Sequence, residues 1–267
     1  MMAREPYSGM ASTFNQAAPL YHRVRPGYPV ELFHDLAGET GLADGARVLE
    51  IGAGTGQATR GLLEQGWSVV ALEPGPDLAA MARQALTGVG EVDVVVSSFE
   101  QWERRGQRFE LIVAATSWHW LDPRVAYRKA ADTLRDDGYL AIIATDHVFP
   151  PDADELFRDV QKVYQQVGMS NGQAGPQPPD AIPVPDFAAI VGSGFFSPPI
   201  VHRYLWSWNY SADDYLALLS TYSNHIAARP EQRDTLFSRI QELIDARPSA
   251  VIRKHYLNTL QVARRID

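Results

Sequence analysis

Between Val48 and Ala144 apolar residues come in short runs: Val48-Leu49, Val69 to Leu72, Val92 to Val96 with Asp93 inside it, Leu111 to Ala115 and Leu140 to Ala144. A strand with one wet face alternates apolar and polar positions, whereas a strand covered on both faces is apolar at successive ones. The runs therefore predict buried strands, and the intervening segments around 57–65, 76–86 and 122–134 are able to form helices. Strand and helix alternating in this way predict a parallel sheet with helices on both sides. Asp122-Pro123 reads as a helix N-cap followed by proline at the first helical position, and Gly66 and Gly138 stand where helix exits are needed. Upstream, Pro29 to Gly41 predicts a helix with Val30, Leu32, Phe33 and Leu36 as its apolar positions, and an earlier helix covers Ser12 to His22. The stretch Arg25-Pro-Gly-Tyr-Pro29 between them is a turn, because two prolines and a glycine interrupt any regular pattern.

The regularity ends near Asp146. Leu156, Phe157, Val160, Val163, Tyr164 and Val167 space a helix over Glu155 to Val167, and Gly168 to Pro185, rich in Gly, Pro and Gln, has the composition of a mobile loop. Beyond it the pattern predicts a helix over Phe187 to Val191, a strand over Ile200 to Trp206, helices over Asp213 to Tyr222 and Glu231 to Ala246, and a last strand over Val251 to Val262. No internal repeat is present. One domain is expected over 1–267, with its core at about 42–146 plus 187–267 and cap elements at about 8–41 and 147–186.

Composition narrows the partners. Of 267 residues, 45% are apolar and 21% charged, which suits a globular chain, and the net charge of −8 argues against a general nucleic-acid surface. No apolar run reaches the roughly 18 to 20 residues that span a bilayer, and MMAREPYSGMAST lacks the apolar region of a secretory signal. A cytoplasmic protein without membrane contact is expected. The absence of cysteine removes disulfides, thiolate metal sites and a cysteine nucleophile together.

The chemistry begins at VLEIGAGTGQAT, residues 48–59. Glycines at 52, 54 and 56 let the backbone turn sharply and approach a ligand without Cβ clashes, and the next helix presents unpaired N–H groups. A dinucleotide fingerprint needs a third glycine where Gln57 stands, and no Gly-Lys-Ser/Thr follows for a phosphate loop. The next strand ends at Glu73, placed to accept hydrogen bonds from both hydroxyls of an unmodified ribose, a feature that NAD and S-adenosylmethionine share. After the third strand, Ser97-Ser-Phe-Glu100 lines an adenine or, for Phe99, simply packs the core.

Glu50-x-Gly-x-Gly-x-Gly56, Glu73, Ser98-Phe-Glu100, Phe109 to Val113 and Leu134-Arg-Asp-Asp-Gly-Tyr-Leu140 together resemble the ordered motifs of class I S-adenosylmethionine-dependent methyltransferases over roughly residues 10–145. Tyr21-x-x-x-Arg-Pro-x-Tyr-Pro29 with Ser117-Trp-His-Trp-Leu-Asp122 resembles the small-molecule group that includes trans-aconitate methyltransferase-like proteins. The resemblance implies an α/β, Rossmann-like, doubly wound and mostly parallel seven-stranded sheet with one antiparallel strand and a helical cap. It implies S-adenosyl-L-methionine as cofactor, with Glu50 and the backbone of Gly52, Ala53, Gly54 and Gly56 at its methionine portion, Glu73 at the ribose, and Ser98 and Phe99 flanking the adenine. Gln57, Pro74 and Thr116 complete the expected cofactor set. Tyr21 and Arg25 close over it, Arg25 either pairing with the cofactor carboxylate or bracing its own turn.

Methyl transfer asks for positioning, exclusion of water and, for some acceptors, a base. An imidazole titrating near ~6.5 suits that task. His119, after the fourth strand, is the first candidate, either as base or as a fixed part of the pocket wall between Trp118 and Trp120; His147, after the fifth strand, is the second, with surface exposure as its alternative. Thr116-Ser-Trp-His119 stands where an exocyclic-amine or amide methyltransferase carries Asn/Asp-Pro-Pro-Tyr/Phe, which disfavours such acceptors, and Asp146 alone makes no metal cluster, so no metal is expected. Trp118, Trp120, Tyr204 and Trp206 are the candidate acceptor contacts. A trans-aconitate-like acid requires several arginines to converge, for which Arg25, Arg203, Arg229 and Arg253 are available. The expected function is methyl transfer to a small organic acceptor at an oxygen, carboxylate or carbon; a cofactor-binding scaffold and an RNA or protein methyltransferase are the competing readings.

Overall fold

The computed structural model describes residues 18–169, 175–185 and 187–266. In chain order it holds α1 (Ala18–Val24), α2 (Val30–Thr40), β1 (Arg47–Ile51), α3 (Gln57–Leu63), β2 (Ser68–Leu72), α4 (Pro76–Ala85), β3 (Val92–Val95), β4 (Phe109–Ala115), α5 (Pro123–Thr133) and β5 (Leu134–Val148). Then come α6 (Leu156–Gln166), α7 (Ala188–Gly192), β6 (Ile200–Tyr210), α8 (Ala212–Ser220), α9 (Ser223–Ile226), α10 (Pro230–Asp245) and β7 (Ile252–Arg264). The strands form one sheet in the order β3-β2-β1-β4-β5-β7-β6. β1 to β5 pair in parallel, and β7 runs antiparallel to both β5 and β6, which makes it the one reversed strand. The order reverses between β1 and β4, and it is beyond the carboxyl ends of such a pair that an open α/β sheet binds its ligand.

The apolar runs have the cause expected of them. Successive side chains of a strand point to opposite faces. Val48, Val69, Ala71, Leu111, Val113, Ala141 and Ile143 pack on one face against Leu32, Phe33 and Leu36 of α2 and Ala58 and Leu62 of α3. Leu49, Ile51, Leu72, Ile112, Ala114, Leu140 and Ile142 pack on the other, against Tyr127, Ala130 and Ala131 of α5 and Phe196. A third cluster sits at the sheet's end: Leu156, Phe157, Val160 and Val163 of α6, Leu218 and Leu219 of α8 and Leu236, Ile240 and Ile244 of α10 bury the ends of β6 and β7 at Tyr210, Ile252 and Tyr256. That cluster is the cap, and it is built on strands that outrun the rest of the sheet.

Several boundaries move. Ser12 to Ala17 of the earliest helix lie outside the described residues, as do 170–174 and 186 in the loop region. Gly138 is not a helix exit: α5 passes directly into β5, whose pairing shifts register between Phe109 and Leu111, and a Cβ at Gly138 would stand 3.1 Å from the backbone oxygens of Arg135 and Glu110. The short helix α9 has no counterpart in the sequence pattern. Asp122 caps α5 as expected, accepting the Arg124 N–H at 3.0 Å.

Gly61 in α3 is needed for contact rather than for backbone freedom. A Cβ there would lie 2.2 Å from the Phe33 ring, whereas one at Gly38 in α2 meets nothing within 4 Å. Gly61→Ala is expected to lower the denaturant midpoint by an amount worth about 1–3 kcal/mol, and Gly38→Ala to raise it by about 0.5–1 kcal/mol. Equal effects of the two substitutions would contradict the packing of α2 on α3.

Candidate active site

The loop after β1 explains why glycine recurs at every second position. Gly52, Gly54 and Gly56 have φ of 73°, 58° and 91°, a region that side-chain-bearing residues rarely adopt. The folded-back loop is pinned to β2 by Gly52 and Ala53, whose N–H groups donate to the Leu72 carbonyl at 2.8 and 3.0 Å. The Tyr21 ring stands over it, 3.8 Å from the place a Gly54 Cβ would occupy. Gln57 opens α3; its Oε1 accepts the Thr55 hydroxyl at 3.0 Å, and its buried Nε2 has no partner.

Two buried acids flank this loop. Glu73, directly after β2, accepts the Gly54 N–H on one oxygen and the Gly75 N–H on the other, both at 2.8 Å. Burial pushes its carboxyl above the ordinary value, and these two hydrogen bonds oppose the push. Glu50 on β1 accepts the Thr59 hydroxyl at 2.6 Å. Its carboxyl is pushed up to about 7, chiefly by burial, with the Glu73 charge adding to the shift.

The far side is formed where β4 ends. Thr116 has a φ of 56°, a strained setting for a β-branched residue, of a kind that concentrates at functional sites. Its hydroxyl lies 3.2 Å from the Tyr28 hydroxyl and 3.3 Å from that of Thr145, and Ser117 donates to the Ile51 carbonyl, tying the ends of β4 and β1 together. Trp118–Trp120 make a single 3₁₀ turn in which the exposed His119 ring packs 4.7 Å from that of Trp120.

The cap supplies the remaining wall. Arg25 donates from Nε to the Thr221 hydroxyl at 3.0 Å and from Nη2 to the Thr221 carbonyl at 2.9 Å, with its guanidinium between the rings of Tyr21 and Tyr222. His147, on β5, packs edge-on to Phe157; burial and the neighbouring Lys254 hold its imidazole well below the ordinary value, and its Nε2 has no partner. Lys254, on β7, is 3% exposed and lies among the rings of Phe157, Tyr222 and Tyr256.

A continuous cavity of about 860 Å³ joins these parts. Tyr21, Arg25, Glu50, Gly52, Ala53, Gly54, Gln57, Glu73, Thr116, His119, Trp120 and His147 all line it. Pro74, Ser98 and Phe99 line instead a separate small recess that shares Gly52 with it. Phe99 is a core side chain, 2% exposed, with Lys129 over its ring, and Gly56 lies against Leu86 rather than the cavity. Three expected acceptor contacts lie elsewhere: Trp118 packs on Tyr127, Tyr204 donates to Asp35 of α2 at 2.7 Å, and Trp206 donates to Asn258 and packs on Tyr256. Tyr204 and Trp206 sit on β6, the strand at the sheet's edge, which faces α2 and the partner strand rather than the crevice.

The four arginines do not converge either. Arg203 donates to the Pro179 and Ile182 carbonyls, Arg229 to Gln232 and Arg253 to Asp152, which leaves Arg25 as the one of the four that lines the cavity. His147 is a wall residue, not a surface one. Sequence reasoning missed Lys254, Tyr28, Tyr164 and Tyr256, all of them cavity-lining. Among the described residues no three His, Asp or Glu side chains gather as a metal site, and no helix is long and apolar enough to cross a membrane.

Residues 49–142 match a family model described as a methyltransferase domain. An uncharacterized methyltransferase of Mycobacterium tuberculosis is 26% identical over 240 residues, covering 90% of this chain and 88% of its own. A candidate type II methyltransferase from Anaeromyxobacter dehalogenans superposes with a TM-score of 0.63 at 23% identity, over 90% of this chain and 97% of its own. A mycolic acid cyclopropane synthase solved in complex with SAH and CTAB gives 0.53 at 14% identity, over 97% and 99% of the two chains. These two likenesses concern the fold. Residues 49–142 thus carry a methyltransferase domain, set in a mostly parallel seven-stranded sheet of the Rossmann-like methyltransferase fold. The protein is an enzyme of methyl transfer, and S-adenosylmethionine is its cofactor.

Glu50 gives this site a pH signature. Its carboxyl rises from 4.5 to about 7 in the fold, so the protonated acid is the form that folding favours. That contribution is complete below the unfolded value and is lost as pH rises through the folded one. In denaturant unfolding without cofactor, Glu50→Gln is expected to gain about 1 kcal/mol on the wild type between pH 6 and pH 8. A gap that stays flat, or that moves the other way, would contradict the buried acid.

Proposed function

We propose that the protein transfers a methyl group from S-adenosylmethionine to a small organic molecule, at an oxygen, carboxylate or carbon, in the cytoplasm. The observation that carries this reading is the cavity of about 860 Å³, with glycine loop and buried acids at one end and aromatic cap at the other. Its size falls within the range of about 300–1,000 Å³ of small-molecule sites. A macromolecular acceptor calls for an open surface, and one of polyanionic character calls for a basic one, against a net charge of −8.

The residues present fit the cofactor. The loop brings its backbone up to the cavity without Cβ atoms, and Gln57 Nε2 is a buried donor without a partner. Glu73 would take the ribose hydroxyls, Glu50 and the loop backbone the methionine end, and Pro74 and Ser98 the adenine in the adjoining recess. When bound, S-adenosylmethionine supplies a methyl group on an electrophilic sulfonium. The chain's own part is to hold the acceptor in line, exclude water and receive a proton where the acceptor gives one up. His119, beside Trp120, is the first candidate to receive it; His147 Nε2, on the same cavity, is the second, because burial and Lys254 lower its basicity.

Calorimetric titration with S-adenosylhomocysteine, followed by tritiated-methyl transfer into small-molecule, RNA and protein fractions of a cell extract, tests the reading. Binding with label in the small-molecule fraction is expected; label confined to RNA or protein would overturn it. Glu73→Ala is expected to weaken S-adenosylhomocysteine binding at least about tenfold, as for loss of charge-assisted hydrogen bonds. Unchanged affinity would remove Glu73 from the ribose.

A further inference from the structure

Lys254 is a buried charged group on the cavity wall that takes no part in the proposed cofactor contacts. It is 3% exposed, yet among the described residues no carboxylate pairs with it; burial and the Arg25 guanidinium push its ammonium down to about 7, and no acid pulls it back. Its Nζ lies 5.0 Å from the centroid of the Tyr256 ring and 5.9 Å from those of Phe157 and Tyr222. Aromatic faces recover part of the lost hydration, but only part. A buried cation without a counter-ion is costly, and replacing it by an apolar side chain is commonly neutral or stabilising. A ligand anion is what turns such a cost into affinity.

The place of Lys254 says which ligand. In the strand order, β1 and β7 are separated by β4 and β5. Three strand spacings put Lys254 about 14 Å across the sheet from the glycine loop. The buried acids Glu50 and Glu73 belong to the loop end and Lys254 to the cap end, where Asp146 of β5 is a half-buried carboxylate on the same cavity. Resting on the methyltransferase reading, we propose that Lys254 anchors the methyl acceptor, and that the acceptor is a monoanion, a carboxylate carried on an apolar body. His147 Nε2, also unpartnered, stands on the same wall. Lys254 within a ring of aromatic side chains suits one carboxylate on an apolar frame; Arg25, a second cation on this cavity, is held by Thr221, and the further arginines that a tricarboxylate would need are bound elsewhere, to Asp152, Gln232 and the Pro179 and Ile182 carbonyls.

The test uses the full-length protein. Binding of S-adenosylhomocysteine is measured first on wild type, Lys254→Met and Lys254→Arg. The protein loaded with it is then titrated with hexanoate, 3-phenylpropanoate, their amides and tricarballylate. At least one monocarboxylate is expected to bind the wild type ten times or more tightly than its amide, and more tightly than tricarballylate. Lys254→Met should lose that preference to within twofold and Lys254→Arg should keep it, while both hold S-adenosylhomocysteine within threefold of wild type. That retained affinity also certifies the fold of the variants. Four results would overturn the proposal: no monocarboxylate binds, amides bind equally well, tricarballylate binds best, or Lys254→Met keeps the preference. Loss of S-adenosylhomocysteine binding in Lys254→Met assigns the lysine to the cofactor carboxylate and overturns it too. A wild type that fails to bind S-adenosylhomocysteine at all strikes the methyltransferase reading itself, before any carboxylate is added.

Discussion

The two oxygens of Glu73 hold together the loops on which the site depends. One takes the Gly54 N–H from the turn after β1, the other the Gly75 N–H from the turn after β2. A carboxylate that is 2% exposed must find donors, and here both come from backbone that would otherwise present unpaired amides. The loop can fold back far enough to supply one only because Gly52, Gly54 and Gly56 accept positive φ. Glycine spacing and the acid at the end of β2 are thus parts of one constraint.

From that anchor the charge of the cavity follows the order of the strands. Buried acids stand on β1 and at the end of β2, the half-buried Asp146 and His147 on β5 and the buried Lys254 on β7, with the strained Thr116 between them at the end of β4. β5, β7 and β6 continue past the other strands, and α6, α8 and α10 close on their ends. Arg25 joins the two halves: it reaches from the segment after α1 to Thr221 after α8, and its guanidinium is held between Tyr21 on the loop side and Tyr222 on the cap side. Two buried acids at one end and a buried amine at the other give the cavity a direction, which neither the fold nor the domain match alone provides.

What could be read from the chain is what depends on neighbours in sequence. Runs such as Leu111 to Ala115 disclosed strands covered on both faces, and glycine at alternate positions disclosed a turn of unusual backbone. Lys254 could not be read, since it stands between Arg253 and His255 as one of three basic residues, and the rings around it come from α6, the turn before α9 and its own strand. Tyr204 and Trp206 misled because aromatic content does not say where a strand will stand in the sheet, and β6 stands at its edge. The arginines misled likewise: a guanidinium satisfied by Pro179 and Ile182 carbonyls or by Asp152 has the same sequence signature as one aimed at a ligand. Phe99 resolved toward the core because the helix α5 brings Lys129 over its outer face.

The crevice between β1 and β4 is where the cofactor is expected, with the β5–β7 wall left for the acceptor. A crystal structure with S-adenosylhomocysteine bound measures this directly. The expected result places the ribose hydroxyls within hydrogen-bond reach of Glu73 and leaves Lys254 Nζ without contact to the bound molecule. A product whose carboxylate sits on Lys254, or whose ribose lies away from Glu73, would contradict it.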